Sequence, residues 1–361
     1  MEFKRSRRLE KRIIPAMLFY LVRCLLLQNL LVLTTSALLN NSSDLSGRNL
    51  VDYVNTVQSQ FTAEYHGMTF AAMDSKYLDS SAHKHFPIRT AISAQIPAHF
   101  DARDVWPQCS SLKLIRDQTS CGSCWAFTTA EIISDRTCIK SNGTQQPIIS
   151  PQDILSCCGS QCGYGCEGGW PIQALKWWNT NGVVTGGDYQ GAGCKPYTIP
   201  ACTKAPCAVK PTPQCSKSCQ SGYQTKYSQD KHYGTSAYSI ANNVAAIQTE
   251  ILLHGPVVAA IKFYEDLQYV KTGIYSHVYG KEVGGHAVKI IGWGTEKNVD
   301  YWIMANSWNT KWGDGGFFKM KRGSNECGVE SGVVAGEPRV SGAEGKMGMV
   351  AVLVMVMAFL K

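Results

Sequence analysis

One cysteine of this chain stands where its sulfur can be made a nucleophile. The run Gln118-Thr119-Ser120-Cys121-Gly122-Ser123-Cys124-Trp125-Ala126-Phe127 reads as a Gly- and Ser-rich turn feeding the first turn of a helix. A thiol at a helix N-terminus feels the positive end of the dipole, which favours thiolate over thiol, and the thiolate is the attacking species. Read alone, Cys124 could equally be one more disulfide half. Fourteen of the 15 cysteines lie between Cys109 and Cys327, a density that belongs to an oxidising compartment unless the thiols bind metal. Cys157, Cys158, Cys162 and Cys166 crowd closely enough to raise zinc. Two of them are adjacent, however, and no C-x2-C pair recurs at knuckle spacing, so disulfides are expected and a metal is not.

The elements that must position this thiol follow from periodicity and breakers. Residues 124 to 138 read as a helix with Phe127, Ala130, Ile133 and Thr137 on one face, and Pro171 to Trp178 as another. Cys194 to Cys219 is dense in Pro, Gly and cysteine and reads as loop. Pro256 to Ile261, His286 to Gly292 and Tyr301 to Ala305 are rich in β-branched or alternating apolar residues, as strands are. A helical first lobe and a β-rich second lobe are predicted, with no internal repeat. Residues 38 to 95 are polar and free of cysteine. Leu50, Val54, Val57 and Phe61 give them one short amphipathic helix, so this segment depends on something else for its order.

The Cys124 run matches C-G-[SA]-C-[WY], the signature of papain and the cathepsins, and the chain resembles that family from Ile96 to Arg339. The resemblance implies an α+β, two-lobed papain-like fold, with a helical left lobe, a β-barrel-like right lobe and the active site in the cleft between them. It implies peptide hydrolysis with Cys124 as nucleophile, His286 (in Gly284-Gly285-His286-Ala287) as its base and Asn306 (in Ala305-Asn306-Ser307-Trp308) as the residue that orients the imidazole. Gln118 would line the oxyanion hole and Trp308 would shield the His286–Asn306 bond. Gly168, Gly169, Trp170, Pro171, Ala260, Gly285, Ala287 and Gly332 would bind substrate.

Cys157-Cys158-Gly159-Ser160, Cys166-Glu167-Gly168-Gly169 and Gln229 to Gly234 resemble the cathepsin B branch. That branch implies the pairs Cys109–Cys138, Cys121–Cys166, Cys157–Cys215, Cys158–Cys162, Cys194–Cys219 and Cys202–Cys207, a connectivity that spacing cannot select. It also implies a prosegment over 38–95 that lies across the cleft as an intramolecular inhibitor, a mature domain over 96–339, polypeptide substrates, cystatin-type inhibitors, no cofactor and a monomer.

Three features depart from the branch. The staple of the occluding loop, Cys202-Thr203-Lys204-Ala205-Pro206-Cys207, holds no histidine to receive a substrate's C-terminal carboxylate, and Lys311 stands where the branch has an acid that anchors that loop. An endopeptidase is therefore expected; a dipeptidyl carboxypeptidase working through Lys204, or a catalytically silent binding homologue, are the alternatives. Next, Gly332 replaces the carboxylate that accepts arginine at the base of S2, so apolar or aromatic P2 residues are expected over Arg, which would be buried there without a partner. Last, residues 340–361 add an apolar run, Met347 to Leu360. It is short for a spanning helix and reads as a disordered or trimmed extension; a GPI-attachment signal, which it resembles apart from a short spacer, is the alternative.

The net charge is +8, but the leader alone holds seven Lys/Arg against two Glu (+5), which leaves +3 for the remainder. No basic face stands out, so nucleic acid is not an expected partner. Residues 1–37, with a basic start, an apolar stretch from Ile13 to Leu33 and Thr35-Ser36-Ala37, read as a signal peptide; an uncleaved anchor is the alternative. Sequons at Asn41 and Asn142 agree with the secretory pathway, and a lysosome-like compartment, secretion or GPI anchoring would all fit.

Overall fold

A computed structural model describes residues 45–67, 86–90, 94–201 and 208–340. The expected signal peptide, the Asn41 sequon, the Cys202–Cys207 pair and the C-terminal tail lie outside them. All elements below belong to one compact unit that begins at Gly47.

Six α-helices and ten strands occur among the described residues. Helix α1 (Gly47–Val57) buries Leu50, Val51 and Val54 and leads into β1 (Phe61–Ala63). The Asn55 side chain joins the two, donating to Ala63 O at 2.9 Å and accepting from Ala63 N at 2.8 Å. Strands β2 (Ile88–Arg89) and β3 (Phe100–Asp101) follow. Asp101 then caps α2 (Ala102–Val105) by accepting from Arg103 N, which satisfies an amide that the helix leaves open. Helices α3 (Cys124–Lys140), α4 (Pro151–Cys157) and α5 (Pro171–Asn181) come next. Proline in the first turn of α4 and of α5 starts each where no amide is needed. The second half holds β4 (Gly234–Ile240), α6 (Val244–His254), β5 (Val257–Tyr264), β6 (Val270–Tyr275), β7 (Glu282–Glu296), β8 (Val299–Ala305), β9 (Phe317–Lys321) and β10 (Val333–Pro338).

The strands run in the order β1-β6-β9-β8-β7-β5-β10-β4-β2, with β3 paired to β7. Among the described residues this path has two ends, so the β-rich part does not close in the barrel-like way that the resemblance implied. Both ends are contributed by the segment before residue 96. Strand β1 adds antiparallel to β6 and β2 adds parallel to β4. Ring contacts of Phe61 with Tyr275 (5.3 Å) and Tyr53 with Tyr279 (4.9 Å) reinforce the first docking. A segment with too few apolar residues to fold alone is thereby ordered by a finished sheet edge.

Helix α3 runs through the core. Every residue from Cys124 to Cys138 is buried, charged ones included. The predicted face of Phe127, Ala130, Ile133 and Thr137 is buried, but so is the opposite side, where Lys289 of β7 meets Asp135 at 2.9 Å and Glu131 at 3.5 Å. Burial alone would lower the Lys289 amine, yet the facing carboxylates of Asp135 and Glu131 hold it above the ordinary lysine range. Helix and strand are thus joined by an ion pair as well as by packing.

Disulfides join Cys109–Cys138, Cys121–Cys166, Cys157–Cys215, Cys158–Cys162 and Cys194–Cys219. The segment expected to be loop, 194 to 219, carries no helix or strand among its described residues. It is held down by these bridges and by Lys195, which with Lys231 grips the fully buried Asp153 at 3.1 and 2.9 Å. Tyr227 adds a bond to the same carboxylate at 2.8 Å. Burial would raise the Asp153 carboxyl; Lys231, then Lys195 and the hydrogen bonds, pull it below its usual 3.8. Asp153→Asn leaves two lysines buried without their anion and is expected to cost about 3–5 kcal/mol, read as a fall in the urea midpoint. Because the folded carboxyl lies lower than the unfolded one, its contribution is full above pH 3.8 and is lost as the pH falls through the lowered value. The gap between the wild type and the variant therefore narrows in strong acid.

Candidate active site

Cys124 is the first residue of α3 and is fully buried. It takes no part in a disulfide. The turn before it is set by Gly122 N donating to Cys166 O at 2.8 Å and by the Cys121–Cys166 bridge. Its amide opens the helix, so the thiol sits at the positive end of the dipole. The Thr128 hydroxyl, one turn on, lies 2.7 Å from Cys124 O and 3.2 Å from Ala287 O. That hydroxyl joins the first turn of α3 to β7 at the residue after His286.

His286 sits on β7 opposite Ile261 of β5 and is buried. Its Nε2 is 2.8 Å from Asn306 Oδ1. Ser307 N donates to the same Oδ1 at 2.8 Å, which fixes that end of the amide as oxygen. An oxygen there can only accept, so Nε2 carries the proton and Nδ1 of the neutral ring carries a lone pair. Nδ1 is buried and makes no hydrogen bond. Trp308 stacks on the imidazole at 4.7 Å, and Phe263 reaches both rings, 6.2 Å from His286 and 5.4 Å from Trp308. Burial pushes His286 from 6.5 down to about 4, against a smaller lift from Asn306. Burial thus favours the neutral ring, and an anion beside it would favour the cation.

Gln118 reaches the same place by two routes. Its N donates to Ser307 O at 2.9 Å, and its Oε1 accepts from the Ser307 hydroxyl at 2.7 Å. The second bond fixes the amide so that Nε2 faces the turn, where it donates to Cys121 O at 3.0 Å. Tyr197 OH donates to Gln118 O at 2.9 Å and lies 3.0 Å from Ser123 Oγ. Gln118, Cys124, His286, Asn306 and Trp308 are thus brought into one connected group.

The expected substrate-binding residues form two sets. Gly168 and Gly169 lie in a loop that wraps the start of α3, where Trp125 Nε1 donates to Gly165 O at 3.1 Å. Gly168 has φ +123°, and a Cβ on Gly169 would come within 2.7 Å of the Trp125 ring, so no larger residue fits. Trp170 and Pro171 follow at the head of α5. In the second set, Ala260 stands opposite Ala287 in the β5–β7 pair, with Gly285 opposite Lys262, and Ala260 N donates to the carbonyl of buried Gly332 at 3.3 Å. Glu330 is engaged elsewhere, accepting from Trp302 Nε1, Gly323 N and Asn325 N at 3.1, 2.7 and 3.0 Å. Asn142 is exposed in the turn after α3. Ser307 lies within the Asn306 motif, and its bonds to Gln118 and Asn306 emerge only in the fold. Tyr197, Thr128 and Phe263 carry no linear signal.

The model of the "Papain family cysteine protease" matches residues 96–337. The chain belongs to this family. As a cysteine protease it is similar to the "Gut-specific cysteine proteinase" of Caenorhabditis elegans, 57% identical over 305 residues that cover 82% of this chain and 92% of the relative. It is also 54% identical to "Cathepsin B-like cysteine proteinase 3" of the same organism, over 80% of this chain and 81% of that one. Among solved structures, proCathepsin B S9 from Trypanosoma congolense aligns with a TM-score of 0.71 at 34% identity, covering 80% of this chain and 97% of that chain. The protease is therefore cathepsin B-like. Its likeness to proforms supports a prosegment that binds the enzyme.

Proposed function

We propose that this protease is an endopeptidase that cleaves peptide bonds through a Cys124 thiolate and a His286 imidazolium. The observation that carries the Cys124–His286 chemistry is the state of His286. One nitrogen is fixed as a donor by Asn306, while the other is buried and unbonded. The base-ready nitrogen sits on the strand that Thr128 joins to Cys124. Transfer of the thiol proton to Nδ1 gives a thiolate at a helix head and an imidazolium beside it, each supplying the charge that burial otherwise denies the other. The thiolate attacks the scissile carbonyl carbon. The oxyanion so formed is received by Cys124 N–H and Gln118 Nε2. The imidazolium protonates the leaving amine as the C–N bond breaks, and His286 then takes a proton from the water that hydrolyses the thioester.

Residues 38–95 would act as the removable prosegment, freed near Gln95-Ile96, on a chain bound for the secretory pathway and glycosylated at Asn142. The absence of histidine between Cys202 and Cys207 supports an open primed side, and Gly332 with Ala260 and Ala287 supports an apolar S2. Turnover of Phe-Arg and Arg-Arg fluorogenic reporters, and of one longer peptide with a free or an amidated C-terminus, tests both points. Phe-Arg is expected to dominate and amidation to leave the rate unchanged. Comparable Arg-Arg turnover would refute the pocket argument, and dependence on the free carboxylate would establish a dipeptidyl carboxypeptidase. Gly332→Glu is expected to raise the Arg-Arg to Phe-Arg ratio of kcat/KM by about tenfold or more, by giving the P2 guanidinium a partner.

A further inference from the structure

The second docking of the N-terminal segment, at β2, differs in kind from the first. Residues 86–90 hold the two-residue strand β2, and Pro87 before it disfavours helix. Pro87 O accepts from Ser239 N at 2.9 Å, and Arg89 O accepts from Ala241 N at 2.8 Å. Two side chains anchor it. Phe86 packs on the apolar core cluster that contains Leu175 and Trp178 of α5, with Lys176 Nζ 5.9 Å from its ring. Arg89 lays its guanidinium over the Tyr238 ring at 3.7 Å. Its Nη1 donates to Tyr238 OH at 2.7 Å, to Glu337 at 3.0 Å and to Glu250 at 3.4 Å. Ile88, between the anchors, points to solvent.

The receptor half of this contact belongs entirely to residues after 96 and is rigidly built. Arg136, fully buried, donates to Glu250 at 2.9 Å and to Pro256 O and Gly255 O. Lys140 and His254 flank Glu337 at 3.5 and 3.3 Å. Tyr238 OH donates to Glu250 at 2.6 Å. The carboxylates and the phenol ring are therefore held in place by partners other than Arg89.

We propose that the groove left when residues 86–90 depart is a second peptide-binding site, which takes an extended segment bearing an aromatic side chain and, three residues on, an arginine. The ring fills the Phe86 site, the guanidinium lies on Tyr238 between Glu337 and Glu250, and the backbone pairs along β4. Such a site would hold a protein substrate or inhibitor by a stretch remote in sequence from the bond in the cleft. The proposal rests on the reading that the segment before Ile96 is removed.

The test uses the processed protease with Cys124 blocked by an epoxysuccinyl inhibitor, so that the cleft is filled. N-terminal sequencing first establishes that residues 86–90 are gone; their retention would overturn both this site and the processing reading. A peptide carrying Phe-Pro-Ile-Arg-Thr is then titrated while the backbone amides are followed by NMR. Saturable shifts are expected at Tyr238, Ala241 and Glu250. Replacing the arginine by citrulline, which keeps the shape and removes the charge, is expected to weaken binding about tenfold. Glu337→Gln is expected to do the same with the arginine peptide and to leave citrulline binding unchanged. Equal binding of the two peptides, shifts confined to Gly168 and Gly169, or none at about millimolar peptide, would overturn the site alone, since the sequencing result stands apart.

Discussion

Cys124→Ala is expected to lower kcat/KM of the processed protease by at least about 10⁴-fold, because the covalent route disappears and only binding and oxyanion contacts remain. The thiol is buried at the head of α3, and alanine fits the space it leaves. Folding is held by the buried length of the helix and by its ion pairs to β7. The thermal midpoint should therefore move by only a few degrees at most, about what a loss below 1 kcal/mol produces. Activity against a fluorogenic dipeptide and a calorimetric scan on one preparation check this. Residual turnover within about tenfold of wild type would mean that another group attacks the carbonyl.

The second large effect concerns Gln118. Gln118→Glu preserves length and the acceptor that holds the Ser307 hydroxyl, but it removes the Nε2 donor and places negative charge near a developing oxyanion. A fall in kcat of about 10²–10³-fold with KM nearly unchanged is expected, since the interaction exists only in the transition state. Steady-state kinetics with separately resolved kcat and KM decide it. A raised KM at intact kcat would make Gln118 a structural residue, whose work is to hold Cys121 O and Ser307.

Much of the site was legible because its chemistry lies in short runs. The turn before Cys124, the glycine pair before His286 and the Asn306-Ser307-Trp308 triplet each carry several residues that meet in space. The helices at 124 and 171 were found at their first residues and end two or three residues beyond the expected points, at Lys140 and Asn181. Strands β5, β7 and β8 overlap the expected runs; β7 is far longer than the apolar run that signalled it, because it extends at both ends, its start paired with β5 and its end with β8. Helix α6 was not foreseen. Its apolar residues do not fall on one stripe, and Gln248, Thr249 and Glu250 are buried with them.

The polar interior was the least legible part. Glu131, Asp135, Arg136 and Lys289 are charged residues in the core. Only the fold reveals that Arg136 answers Glu250, and Lys289 answers Asp135, across more than a hundred residues of sequence. Which strands cover the two sheet edges was illegible for a comparable reason: they come from the segment before residue 96, where a three-residue and a two-residue strand carry almost no periodic signal. Its dependence on outside contacts was visible; its two separate dockings were not.

The pH profile of Cys124 alkylation by iodoacetamide in the processed protease tests the thiolate–imidazolium pair most directly. Burial, partly offset by the bond to Asn306, holds His286 down near 4, so a thiolate beside the ring is what would lift it into its cationic form at mildly acid pH. The account predicts rapid alkylation on a plateau that persists down to about pH 5 and is lost on His286→Ala. A single rise centred near about pH 8.5, that of an ordinary thiol, indifferent to His286, would contradict it.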